Sequence, residues 1–242
     1  KAGKAEAELM AREYQLGRKR KKEQGKTVGE CIDEYIDLKR NILSPTTIRG
    51  YEKYRNTSLA GLCDIYIKDL TPQDVQAYMN RLSLTMSPKS VHNAHGLLSA
   101  VIKTFAPEIV LNTTLPKIPK KIKRIPEVEE VWRAIYGTEI ELPCLLAMWC
   151  SLRMSEIRGL KKSDIVDGVI TVERTIVNVD GDHIEKDSTK TIESTRQIEL
   201  PDYIISLVNA LPKEQEYITL IKDHALYMRF VRLLERKGVK HM

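Results

Sequence analysis

At 242 residues the chain exceeds the usual single-domain size, so two domains are the first expectation. Hydrophobic residues make up 42%, enough for real cores, and no apolar run approaches the ~20 residues needed to span a bilayer. Lys and Arg number 39 against 33 Asp and Glu, and the resulting +6 argues only modestly for a polyanionic partner. The start is charged and rich in Ala, Glu and Lys, without a secretory pattern, so a cytosolic protein is expected. Cys31, Cys63, Cys144 and Cys150 lack metal-ligand spacing and read as reduced, mostly buried thiols.

Charge distribution says more than the total. Residues 18–22 form one basic block and Lys117 to Arg124 another. Either alone reads as a solvated linker. Two of them, one before and one after a compact helical region, favour a surface that tracks a nucleic-acid backbone.

Residues 1 to about 24 have the composition of a linker helix with little apolar face. Thr27 is the expected N-cap of the next helix, with Glu30 completing a capping box and Val28, Ile32, Tyr35, Ile36 and Leu38 at helical spacing. Ser44-Pro45, Thr71-Pro72 and Ser87-Pro88 each open a further helix, because proline suits a first turn whose N–H groups need no partner. The apolar faces are Ile48, Tyr51, Tyr54; Val75, Tyr78, Met79, Leu82; and Val91, Ala94, Leu97, Leu98, Val101, Ile102. Residues 27–115 are thus expected to form a small all-α domain, and 116–126, with three prolines and most of the second basic block, the interdomain linker.

Beyond it, 127–242 reads as mixed α and β with helices dominant. Helices are expected over Glu127 to Ile135, Leu142 to Trp149 and Ser155 to Leu160. Val169 to Val177 reads as one strand, Asp180-Gly181-Asp182 as a turn and Thr189 to Leu200 as a second strand in a hairpin. Helices return at Tyr203 to Leu211 and from His224 to about Lys237, with Gly238 at the C-terminal cap.

The most informative stretch runs from Leu145 to Leu160. An apolar helix ends, Arg153 follows at a turn, and Ser155-Glu156 starts another helix. An arginine there lies near helix N-terminal N–H groups and can hold two oxygens of one phosphate. It can equally be a structural ion-pair partner. Glu156 either orients that guanidinium or caps the helix.

Arg153-x-Ser155-Glu156-Ile157-x-x-Leu160 after an apolar helix resembles the first catalytic-arginine motif of tyrosine recombinases of the phage-integrase kind. Lys190-Thr191, Ser194, Arg196 and the strand ending at Pro201 resemble the family's hairpin with its catalytic lysine. The Ser44-Pro45, Thr71-Pro72 and Ser87-Pro88 segments follow its core-binding domain. The likeness spans about Thr27 to Met242 and is nearest to integrases of phages and conjugative transposons.

The resemblance implies a mainly α chain: a helical, SAM-like core-DNA-binding domain, then a mixed α/β catalytic domain with a small antiparallel sheet. It implies site-specific cleavage and rejoining of DNA through a 3′-phosphotyrosyl intermediate, for integration and excision of a mobile element or prophage. Neither metal nor cofactor is needed, because bond energy is kept in the covalent intermediate. Arg153 would stabilise charge on the non-bridging oxygens, and Lys190, with Lys186 as runner-up, would protonate the leaving 5′-oxygen. The implied partners are double-stranded DNA, further copies in a tetramer on synapsed duplexes, and excision or host accessory factors, in the cytoplasm near the nucleoid. No membrane is involved. DNA contacts are expected from Thr47, Arg49 and Lys53 on one helix and from Lys89, Ser90, His92 and Asn93 on another. Asn93 is placed to read adenine, and Lys120, Lys121, Lys123 and Arg124 to track the backbone.

The departures are specific. Ser151 stands where the family usually has glycine. The family's His-x-Leu-Arg-His box and nucleophilic Tyr should follow the helix ending at Gly238. His241 reads as the stretch ahead of that box, and Tyr217 and Tyr227 read as packed in helices. The polypeptide is therefore expected to lack its nucleophile and to be inactive in cleavage, and an N-terminal arm-binding domain is expected to precede it. A non-catalytic sequence-specific DNA-binding protein is the alternative, but it needs neither Arg153 nor Lys190. An RNA-modifying enzyme should show a cofactor fingerprint, and the sequence has no glycine-rich phosphate loop and no His/Cys metal cluster.

Overall fold

A computed structural model of the chain describes residues 25–120, 125–179, 182–186 and 195–239. The residues divide into two compact units, Lys1–Lys120 and Lys121–Met242.

The first unit is helical: α1 Val28–Lys39, α2 Pro45–Asn56, α3 Pro72–Thr85 and α4 Pro88–Phe105, with two short 3-10 turns between α2 and α3. Each helix starts at the signal the sequence carries. Thr27 and Glu30 form the capping box of α1, while Ser44, Thr71 and Ser87 cap α2, α3 and α4 with proline in the first turn. Two orphan N–H groups of α1 are closed by loop carbonyls, Val28 N donating to Ile65 O at 2.8 Å and Gly29 N to Cys63 O at 3.0 Å. A β-carbon on Gly29 would stand 2.9 Å from that of Cys63, so only glycine permits this approach. Val91, Ala94, Leu97, Leu98, Val101 and Ile102 of α4 are all buried, a continuous apolar stripe on the helix against which α1 and α3 pack. Arg55 of α2 holds Asp33 of α1 with Nε at 2.8 Å and Nη2 at 2.7 Å, a fork that ties the two helices.

The segment after α4 remains on this unit. Ile109, Leu111 and Leu115 pack against its core. Gln76 grips the backbone of Thr114, its Oε1 accepting from the amide at 2.7 Å and its Nε2 donating to the carbonyl at 3.1 Å. His92 Nε2 lies 2.9 Å from Pro116 O. Lys121, Lys123 and Arg124 of the basic linker, like residues 1–24, lie outside the described residues.

The second unit contains α5 Val128–Ile135, α6 Glu141–Trp149, α7 Met154–Gly159, strands β1 Ile165–Val166, β2 Val169–Val172, β3 Thr175–Val179, β4 Asp182–Lys186 and β5 Arg196–Glu199, then α8 Asp202–Asn209 and α9 Asp223–Arg236. Leu145, Leu146, Ile157 and Ile170 are fully buried at its centre. Tyr203 of α8 donates to the buried Glu141 at the start of α6, at 2.7 Å. Gly238 follows α9 at φ +69, the left-handed position that closes a helix.

The β region departs from the sequence expectation. Val169 to Val177 is not one strand: it breaks at Glu173-Arg174, and its halves enter different sheets. β1, β2 and β5 form an antiparallel three-stranded sheet, with Val172 opposite Arg196 and Val169 opposite Glu199. β3 and β4 form a separate two-stranded ribbon, with Val179 opposite Asp182. β4 was not expected. At the break the end of α7 lies close against the chain: a β-carbon on Gly159 would meet Arg174 O at 3.0 Å.

The four thiols are free, and Cys31, Cys144 and Cys150 are buried. Burial pushes the Cys144 thiol up to about 12. Among the described residues no group of His, Cys, Asp and Glu could hold a metal ion, and no helix is long and apolar enough to cross a membrane.

Candidate active site and nucleic-acid interface

Arg153 is the N-cap of α7. Ahead of it α6 ends with Ser151 at φ +51, and Leu152 N donates to Leu146 O at 3.2 Å to close the turn. Glu156, three residues into α7, answers the question left open by its spacing, because it does both things. Its Oε2 accepts from Arg153 N at 2.8 Å and its Oε1 from Arg153 Nη1 at 2.8 Å. The carboxylate side chain is 1% exposed while that of Arg153 is 66% exposed. A buried acceptor thus aims a solvent-facing guanidinium.

The sequence reading missed the second cation on that carboxylate. Arg196, the first residue of β5, places Nη2 2.9 Å from Glu156 Oε2 and Nη1 3.3 Å from Oε1, and its Nη2 also reaches Ser151 O at 3.4 Å. In the sequence it stands only within the hairpin motif, and forty residues separate it from its partner. Two guanidiniums thus share one carboxylate. Burial by itself would raise the Glu156 carboxyl, but hydrogen bonds from Arg196 and from Arg153 outweigh it and hold the group below the usual carboxylate range. Arg158, on the same short helix, has the opposite character: its side chain is 7% exposed and lies 3.7 Å from Asp223 of α9.

Lys190 lies outside the described residues, as does His241, and Lys186 is the last residue of β4. The ribbon that leads toward Lys190 is anchored at Glu185. That carboxylate accepts from Tyr217 Oη at 3.1 Å and lies 3.4 Å from Arg174 Nε and 3.8 Å from Lys161 Nζ. Tyr217 stands in an extended segment bridged to Lys161, not in the helix expected for it. Tyr227 does lie in a helix, α9, but is 59% exposed.

On the helical unit, Thr47 and Ser90 are each engaged by the cap hydroxyl of their own helix, at 2.8 and 2.9 Å. Lys53, Lys89 and Lys120 are exposed, as is Arg49. Asn93 Nδ2 donates to Tyr54 Oη at 3.1 Å, which joins the two helices that carry the candidate contacts. His92, half-buried, is committed to the Pro116 carbonyl. Neither α2 nor α4 has an acidic residue in its first turn, in contrast to α1 and α3.

Residues 27–83 match the family described as phage integrase, N-terminal SAM-like domain. The fold of nearly the whole chain is that of the Tn1549 transposon integrase in complex with transposon right end DNA, with a TM-score of 0.71 at 16% identity, covering 89% of this chain and 81% of that one. The chain is similar to integrases, through the matched family over residues 27–83 and through the fold over nearly its whole length. The integrase of Mycobacterium phage L5 is 23% identical over 164 residues, 64% of this chain and 44% of the relative, and that of Mycobacterium phage D29 is 25% identical over 158 residues, 61% and 42%. The matched region of the chain spans less than half the length of those relatives. A lambda integrase tetramer bound to a Holliday junction shares the fold at a TM-score of 0.65 and 19% identity, over 90% of this chain and 68% of that one.

Proposed function

We propose that the protein is a site-specific DNA recombinase that integrates and excises a mobile element or prophage, working on double-stranded DNA in the bacterial cytoplasm at the nucleoid. The supporting observation is the Arg153–Glu156–Arg196 cluster: an exposed guanidinium held by a buried carboxylate that a second guanidinium shares.

In the proposed reaction a tyrosine oxygen attacks phosphorus, the bond to the 5′-oxygen breaks, and the phosphate becomes 3′-linked to the enzyme. Arg153 bonds the non-bridging oxygens as charge develops on them. Lys190 gives its proton to the departing 5′-oxygen, and taking it back from an incoming 5′-hydroxyl reverses the step on the same or another duplex. We assign the nucleophile to none of the described tyrosines. Exchange between two duplexes requires four strand breaks, hence four copies on synapsed DNA, with excision or host accessory factors setting direction.

Covalent trapping tests the proposal. The full-length gene product is offered a suicide substrate nicked beside the scissile phosphate. A protein–DNA adduct is expected, and it should vanish with Arg153→Ala. An adduct that forms equally well without Arg153 removes that residue from the mechanism; no adduct and no DNA binding defeats the recombinase reading.

A further inference from the structure

We infer that Asn93 is a base-reading residue specific for adenine and that Tyr54 positions it. The inference rests on the proposal that the helical unit binds duplex DNA, and it adds a chemical specificity to that surface.

The argument starts from the amide. An asparagine side chain has two N–H donors and one carbonyl acceptor. Left to itself on an exposed helix it rotates freely and discriminates poorly. Here Asn93 Nδ2 donates one N–H to Tyr54 Oη at 3.1 Å. Tyr54 is not mobile in turn, because its ring packs against the core of the unit. The pair therefore fixes which way the amide faces, across thirty-nine residues of sequence. The second N–H and Oδ1 are left together on the exposed side chain. That edge, one acceptor beside one donor, is complementary to adenine N6 and N7 in the major groove and to no other base in the same register.

The surroundings fit a duplex. Lys89 lies one turn before Asn93 on α4, and Lys53 precedes Tyr54 on α2; both are exposed. From Pro88 to Phe105, α4 contains no acidic residue at all. Lysines at these places can hold the phosphates on either side of a groove while the amide reads the base between them.

The test uses the chain of 242 residues and a randomised duplex library. Wild-type protein should select sites with one strongly preferred A·T pair. Asn93→Ala should flatten that position by roughly tenfold to a hundredfold, the loss of one bidentate contact. Asn93→Asp, which offers acceptors only, should move the preference at the same position toward cytosine. Tyr54→Phe should broaden the position without abolishing binding, with thermal unfolding followed alongside to show that the unit is still folded. Retention of the adenine preference by Asn93→Ala overturns the inference, and retention by a folded Tyr54→Phe overturns the positioning role. Selection of DNA with no preferred pair overturns the base reading but spares the DNA-binding proposal; failure to bind any duplex defeats both.

Discussion

Arg153 and Arg196 share a single buried carboxylate, at 2.8 Å from Glu156 Oε1 and 2.9 Å from Glu156 Oε2 respectively. One residue comes from the turn before α7 and the other from the start of β5, so Glu156 both orients a candidate catalytic cation and ties the sheet to the helix.

Replacing that carboxylate has a pH signature. The folded-state carboxyl of Glu156 titrates below its unfolded value, near 4.3, so the unfolded chain takes up the proton first as acid is added. The stabilisation is complete above the unfolded value and is lost as pH falls through the folded one. Glu156→Gln should destabilise the second unit by about 1–3 kcal/mol at neutral pH. The gap between wild type and variant should narrow below roughly pH 4. Urea unfolding at a series of pH values checks this, and a gap independent of pH contradicts it.

Two backbone positions should respond in opposite senses to small changes. Ser151 sits at φ +51, and the left-handed region costs a side chain about 1–2 kcal/mol. Ser151→Gly should therefore raise stability, by about 0.5–1 kcal/mol after glycine's extra freedom in the unfolded chain is set against it. Gly159→Ala should lower it by about 1–3 kcal/mol, because the new methyl would meet the Arg174 carbonyl at 3.0 Å and backbone cannot yield as a side chain can. Thermal unfolding of both variants decides the matter.

Not every arginine near the proposed DNA surface should matter for binding. Lys53 is exposed on α2, so Lys53→Ala should weaken binding to all sequences and flatten the slope of log affinity against log salt by about one unit. Arg55, two residues on, is engaged by Asp33 at 2.7 and 2.8 Å, and Arg55→Ala should reduce stability while leaving that slope unchanged. Salt titrations of the two variants by fluorescence anisotropy separate the roles.

For Lys190 the expected role is proton donation to the leaving oxygen. If so, Lys190→Ala should slow covalent trapping by the full-length protein by about 100- to 10,000-fold, the usual worth of general acid catalysis. A substrate with sulfur in place of the leaving 5′-oxygen departs as a thiolate without needing the proton, so it should restore most of the lost rate. Equal defects on both substrates would contradict the role. Arg153→Ala should not be rescued by sulfur, because it acts on other oxygens.

Much of this protein is local and was therefore legible. Ser44, Thr71 and Ser87 ahead of proline, and Thr27 with Glu30, specify helix starts through contacts that reach three residues at most. The 3.6-residue spacing of Val91 to Ile102 then dictates which face is buried. Arg153 and Glu156 fall within one turn, so their motif could be read as well. What packing decided lies between distant residues: the break at Glu173-Arg174 against Gly159, the pairing of β2 with β5, the arrival of Arg196 at Glu156 and the hydrogen bond from Asn93 to Tyr54. The alternation in Val169 to Val177 records that the chain is extended but not where it changes partners. At that point helix α7 lies against the chain, an approach permitted by one missing methyl group at Gly159.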